Sequence, residues 1–275
     1  MKRSVRGLVC GVTVLGLVQS AAAADLDYLR GSEVFAPSFA TYSNWSGFYV
    51  GAQGGFGNTQ MDFATATADL IARMLRNSSL EDLANVSQWT VLGQVDTRDV
   101  SYGGFVGYNS QWENVILGIE ANYNRTSIFG SSSDTLSRMV TPGDGFTYDV
   151  TVTSTASMRI TDYGTLRGRA GYVMGRFLPY AMLGFAMGRV ETLRSADVSG
   201  FFVPTGQIGP ISQFSMSLTQ PRTVYAFGYA AGAGVDVALW PNVFLRGEFD
   251  WVQFANLPDM KANIVTGRVA AGLKF

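Results

Sequence analysis

Four carboxylates and four guanidinium groups are the residues of this chain best placed to act together. Glu120, Asp236, Glu248 and Asp250 each sit between apolar or small neighbours, and so do Arg167, Arg169, Arg246 and Arg268. Alternation with period two sends successive side chains to opposite faces of a strand, so all eight are expected on one interior face. Carboxylates gathered in a cavity can divide general-acid and general-base roles between them. A balanced set of four acids and four bases also has a structural use, because buried charges are tolerated when they are paired and hydrogen-bonded. The balance favours the structural use: a charge network that fills an interior.

Other chemistry is poorly provided for. The chain has no histidine, which removes the commonest general base and metal ligand and makes a Ser-His-Asp arrangement impossible. Its single cysteine, Cys10, excludes an intrachain disulfide, a thiolate zinc site and a redox pair. No phosphate-binding glycine loop precedes a helix, and the 32 glycines fall mainly inside strands, where they relieve crowding or allow bending. No enzyme activity and no cofactor are expected.

The elements that must position the eight charges are long alternating stretches. They cover 45–57, 98–109, 115–125, a fourth ending near 173, 177–190, 223–239, 243–254 and 264–275. The third sets Leu117, Ile119, Ala121 and Tyr123 against Glu120, Asn122 and Asn124. The fourth sets Ile160, Leu166, Ala170 and Tyr172 against Thr165, Arg167 and Arg169. On the fifth both faces are apolar or small, and alternation leaves its facing open.

Soluble sandwiches alternate as well, but three features point to a membrane barrel. The stretches are longer than soluble strands, which average about 5–6 residues, and reach the ~9–11 that a tilted membrane stave needs. Tyr, Phe and Trp cluster near the strand ends, as interfacial girdles do. Connections alternate between tight turns, at 110–114, 174–176 and 240–242, and long loops, at 58–97, 126–156 and 191–222. In lipid every backbone donor and acceptor must be paired within the protein, which a closed sheet achieves. The expected fold is therefore all-β: a single eight-stranded antiparallel transmembrane β-barrel at 45–275, with long extracellular loops and short periplasmic turns. At this strand number side chains about fill the bore. A ten-stranded barrel is the alternative, built by extending strand four through Phe146, Tyr148, Val150 and Val152 and pairing it with 88–95 and 213–218.

The N-terminus reads as an export signal. Lys2, Arg3 and Arg6 precede an apolar run over 8–18, and Ala22, Ala23 and Ala24 supply the small-residue cleavage site. The run is too short to span a bilayer. Val9 and Leu8, just before Cys10, also argue against lipid attachment there. Cleavage of 1–24 leaves 251 residues without cysteine, with 17 basic against 21 acidic side chains. The 25–44 stretch, with Pro37 and no clear period, is expected to be a periplasmic segment. The absence of a basic excess disfavours nucleic acid as a partner.

Several short motifs then resemble one family. They are Trp45-Ser46-Gly47-Phe48-Tyr49-Val50-Gly51, Gly107-Tyr108-Asn109 with Ile116-Leu117-Gly118-Ile119-Glu120, and Thr165 through Tyr172 followed by Phe177-Leu178-Pro179-Tyr180. Gly232-Ala233-Gly234-Val235-Asp236 and the terminal Gly272-Leu273-Lys274-Phe275 complete the series. In this order, over nearly all of 45–275, the chain resembles the alphaproteobacterial small outer-membrane β-barrel family, which includes surface immunogenic, porin-like and hemin-binding members. The resemblance implies an eight-stranded barrel assembled partly through the terminal aromatic residue, Phe275. It does not imply one activity, since fold does not fix function. The loops depart from the family pattern: 69–75 reads as a short amphipathic helix, and Ser79 to Asp82 as a second helical turn.

Three readings follow: a structural, surface-exposed barrel in the cell outer membrane, a narrow porin for small solutes, and a surface ligand receptor. Heme, suggested by the family's hemin-binding members, would need Tyr148, Met139 or Met216 as an axial ligand, since histidine and cysteine are missing. The expected partners are outer-membrane lipids, lipopolysaccharide and the barrel-assembly machinery. A host or extracellular ligand would meet the loops 58–97, 126–156 and 191–222.

Overall fold

The computed structural model describes residues 44–206, 210–257 and 260–275. Eight strands close into one antiparallel barrel, each paired with its sequence neighbours and β1 with β8. They are β1 (Gly47–Asp62), β2 (Gln94–Trp112), β3 (Val115–Val140), β4 (Phe146–Tyr172), β5 (Phe177–Pro204), β6 (Ser212–Trp240), β7 (Val243–Leu257) and β8 (Met260–Lys274). The chain end is held in the closing seam, where the Phe275 backbone N–H donates to the Phe48 carbonyl at 2.8 Å. The expected segments 1–24 and 25–44 lie outside the described residues, apart from Asn44.

Along the lower strands, alternation separates lipid from lumen. Phe48, Val106, Leu117, Leu183, Phe227 and Phe249 are exposed on the outside, while Gln53, Glu120, Arg167, Asp236 and Glu248 are buried inside. On β3 the outward apolar run goes from Val115 to Tyr123. At about 3.3 Å per residue and a tilt near 40°, that run matches an apolar band roughly 25 Å tall.

The long loops are the main correction. The 126–156 and 191–222 segments are mostly strand, and only 141–145 and 205–211 remain as connections between β3 and β4 and between β5 and β6. Residues 213–218 do pair, with β5, from Phe201↔Gln213 to Ala196↔Leu218. They extend β6 rather than adding a strand, and of 88–95 only Gln94 and Val95 are strand. The ring therefore has eight staves, not ten. β5 has 28 residues and β8 has 15, so β3–β6 rise roughly 40 Å of strand length beyond the rest of the wall at ~3.3 Å per residue.

We call this projection the blade. The β2–β3 ladder stops at Tyr102↔Arg125 and the β6–β7 ladder at Gly228↔Phe254, so the blade stands as a four-stranded sheet above a closed ring. Its outer face is a ladder of hydroxyls, including Ser133 with Thr155, Thr135 with Thr153 and Ser195 with Thr219. Apolar residues give way to Ser and Thr on that face because it has left the hydrocarbon for water.

The blade's inner face is covered by the connection between β1 and β2. That segment carries α1 (Ala68–Met74), α2 (Ser79–Asp82) and a 3-10 turn (Val86–Gln88). Leu70, Ile71, Leu80 and Trp89 pack on Val150, Val152, Ala196 and Val198. Ser78 caps α2 by accepting from the Glu81 N–H at 3.4 Å. Arg194 ties α1 down, donating to the Ala66 carbonyl at 3.0 Å and to Asp69 at 2.9 Å.

One facing expectation fails. Ile160 is fully buried in the interior, whereas Leu166 and Tyr172 face outward. A register shift between Ile160 and Asp162 inserts one residue into β4, and a bulge of this kind turns every later side chain to the other face.

Candidate functional site

The bore carries the only dense cluster of charge among the described residues. Antiparallel register creates its first contacts, placing Glu120 opposite Arg167, Asp236 opposite Arg246 and Glu248 opposite Arg268. Others cross the bore, from Arg167 to Glu248 and Asp250, from Arg246 to Glu120 and from Arg169 to Asp236. Arg167 reaches Glu120 at 3.2 Å and Glu248 at 3.0 Å, and also bonds Asp250. Arg246 reaches Glu120 at 2.7 Å and Asp236 at 2.9 Å. Arg169 joins Asp236 at 2.5 Å and Glu120 at 3.8 Å, while Arg268 joins Asp250 and reaches Glu248 at 3.6 Å. The structure thus brings all eight residues together, and each arginine touches at least two carboxylates.

Aromatic side chains complete the layer. Tyr49 donates to Glu120 at 2.9 Å and Tyr180 to Glu248 at 2.7 Å, and Arg268 donates to the Tyr163 hydroxyl at 3.0 Å. Arg169 lies 3.7 Å from the ring centre of Tyr180, and Arg246 4.3 Å from that of Phe105. Sequence reasoning had not singled out these tyrosines. The inward parity of Tyr49 and Tyr163 was readable; that of Tyr180 was not, because both faces of β5 are apolar. Two glycines make room for the layer. A Cβ on Gly232 would lie 2.3 Å from Asp250 Oδ1, and one on Gly107 2.3 Å from the Tyr49 hydroxyl.

Apolar layers bound the charges on both sides. At the end with the short turns, Trp45, Phe105, Ile116, Leu178 and Phe244 form a floor. Toward the blade, Met61, Phe63, Met158, Ile160, Phe254 and Ile264 form a ceiling. Glu120 is 0% exposed and Arg167 1%. Buried ions are tolerated when they are paired, and here every carboxylate has a cation in contact, while Glu120 and Glu248 also accept from Tyr49 and Tyr180.

This closed, lipid-faced ring agrees with the comparisons to known proteins. The profile of the family described as "Outer membrane protein beta-barrel domain" matches residues 10–275. The chain belongs to the outer-membrane β-barrel family. Its place is the cell outer membrane, and the staves run between a periplasmic end with short turns and an outer end with the blade. Among relatives of this outer-membrane protein, the 25 kDa outer-membrane immunogenic protein of Brucella ovis is 21% identical over 191 residues, covering 70% of this chain and 71% of that one. The protein of the same name from Brucella abortus is 19% identical over 172 residues, covering 62% and 60%. Similar solved structures include OprG of Pseudomonas aeruginosa, at 12% identity and TM-score 0.39 over 84% of this chain and 96% of that one. Neisserial surface protein A, NspA, is 13% identical with TM-score 0.34, covering 84% and 98%.

The three candidate heme ligands are not gathered. Tyr148 packs with the inner face of the blade, whereas Met139 lines a groove on the outer face beside Asp149 and Phe201. Met216 lies on β6, opposite Val198 of β5. At the blade tip, Asp144 accepts from Tyr148 at 2.8 Å and from Ser79, which ties α2 to the β3–β4 turn. The Ser79 hydroxyl and the Tyr148 hydroxyl hold the Asp144 carboxyl below its ordinary range. Burial and the bond to Asp144 push the Tyr148 phenol up.

Proposed function

We propose that this outer-membrane protein is a closed barrel that strengthens the envelope, works outward through its blade and carries out no catalysis. The observation that carries this reading is the layered filling of the bore, apolar, then ionic, then apolar, with Arg167 and Glu120 essentially unexposed. The eight charges are read as a structural network that locks the staves together. The blade presents a broad polar sheet to the medium, and it is the part that an antibody or extracellular ligand would meet. The names of the immunogenic relatives agree with that exposure.

The same reading covers biogenesis and partners. Residues 1–24 serve as a signal peptide and 25–44 as a periplasmic segment. Phe275, exposed on the outer wall beside the barrel seam, is the assembly signal recognised by the barrel-assembly machinery. Lipids surround the apolar band, with lipopolysaccharide in the outer leaflet, and nucleic acid is not a partner.

Single-channel recording in a planar bilayer tests the central claim. Protein whose insertion is verified independently is expected to leave the bilayer silent. Stable stepwise openings would replace this reading with that of a narrow porin.

A further inference from the structure

The outer surface is not electrically uniform at the level where the apolar band ends. Going up each stave, the outward residues at or just above the band on β2, β3, β4 and β5 include Arg98, Arg125, Arg159 and Arg189, all exposed. On β6, β7, β8 and β1 the first outward polar residues are Thr223, Gln253, Asn263 and Asn58. Three of these cations, Arg125, Arg159 and Arg189, therefore stand side by side directly below the blade, with Arg98 beside them on β2 and Lys261 on the far side on β8.

Register turns that side into a patch. One cross-strand row reads Tyr102↔Arg125↔Asp162↔Arg189↔Tyr225. The next row toward the blade reads Phe129↔Arg159↔Glu191↔Thr223. Arg159 stacks 5.4 Å from the ring centre of Phe129. Arg189 meets Glu191 at 3.4 Å, with both side chains about half exposed. A groove of about 480 Å³ opens on this surface, lined by Phe129, Ser157, Arg159, Glu191, Leu193 and Thr223 among others. Within these two rows Asp162 and Glu191 offset two of the three arginines, Arg125, Arg159 and Arg189, and leave a net positive charge.

We propose that this patch binds the phosphate of a phosphorylated outer-leaflet lipid. The inference deepens the lipid contact proposed above and rests on it. Four observations select this ligand. The patch lies on the lipid-facing wall, so its occupant must carry acyl chains that run down the apolar band. It lies where that band ends, at the depth of headgroups rather than tails. Its cations are guanidinium groups, whose planar forks match phosphate oxygens bidentately. Tyr102 and Tyr225 flank the row, as aromatic rings do at a membrane interface.

The test uses protein extracted from outer membranes into neutral detergent and titrated with bisphosphorylated lipid A. Wild-type protein is expected to bind lipid A with both phosphates removed at least about tenfold more weakly. The triple variant R125Q/R159Q/R189Q is expected to lose about tenfold or more in affinity for the phosphorylated lipid. K261Q, which removes a cation from β8 on the other side of the rim, is expected to stay close to wild type. Undiminished binding by the triple variant, or an equal loss in K261Q, would overturn the patch. Equal competition by millimolar inorganic phosphate would assign it to a free anion and overturn the lipid. Heat-dependent gel mobility reports barrel closure separately. Failure to bind lipid A by closed wild-type protein sinks this inference alone, whereas loss of the mobility shift would sink the barrel reading beneath it.

Discussion

Removing Arg167 is the sharpest probe of the ionic layer. This side chain is 1% exposed and touches Glu120, Glu248 and Asp250. Arg167→Met keeps much of the volume and deletes the charge, leaving four carboxylates facing three guanidinium groups. Breaking a buried pair by removing one partner costs about 3–5 kcal/mol, because the other charge stays buried without compensation. The extra contacts of Arg167 place the expected loss toward the upper end of that range. A paired replacement behaves differently, since exchanging both members for neutral groups of similar volume is often near neutral. The double variant Arg167→Met, Asp250→Asn is therefore expected to recover more than half of the loss. The assay is a urea titration of the refolded barrel in lipid vesicles, followed by tryptophan fluorescence, for wild type, both single variants and the double variant. Refutation is clear: an Arg167→Met cost below about 1 kcal/mol, the range of exposed ion pairs, or strictly additive single losses would show that the charges are not coupled in a dry bore.

Two more outcomes are expected. Phe275→Ala should lower the amount of folded protein in outer membranes without preventing the purified chain from refolding, as read by heat-dependent gel mobility; normal membrane levels would remove Phe275 as an assembly signal. At the blade tip, the Asp144 carboxyl is held below its ordinary 3.8, so its contribution is fully present above that value and is lost as pH falls through the depressed one. The Tyr148 phenol is held above its ordinary 10.0, so its contribution is present below that value and is lost as pH rises through the raised one. The protection factor of amides in 141–145 and in α2, that is, exchange relative to the intrinsic base-catalysed rate at each pH, should thus stay constant between about pH 4 and pH 10 and fall selectively outside that window; a flat response would mean that the tie does not hold the tip.

How much of this was legible beforehand depends on the range of the interactions involved. Facing along a strand is a local property. Parity alone therefore put Glu120, Arg167, Arg169, Asp236, Arg246, Glu248, Asp250 and Arg268 on the interior side, and the structure has all eight buried there. Ile160 escaped because a single inserted residue reverses parity, and alternation carries no mark of the insertion. The blade was legible only in part: Phe146, Tyr148, Val150 and Val152 marked the extension of β4, whereas those of β3 and β5 escaped for a different reason. Above the membrane its outward positions are Ser and Thr, as in Ser131, Ser133, Thr153 and Thr155, so the contrast between apolar and polar faces that reveals a stave in lipid fades.

Legible from the chain alone were the barrel itself and the interior facing of its eight charges; the choice between eight and ten staves was not. Barrel and facing follow from period-two patterning and from the demand that backbone groups in lipid be paired. Tertiary structure alone decided which arginine meets which acid. Arg167 on β4 and Asp250 on β7 lie 83 positions apart, and only closure and tilt of the ring bring them into contact. It also decided that the β1–β2 connection folds onto the inner face of the blade, because Leu70, Ile71 and Trp89 find their apolar partners on β4 and β5. Those partners are distant in the chain, and burial of apolar surface specifies no partner until the sheet that offers it has formed.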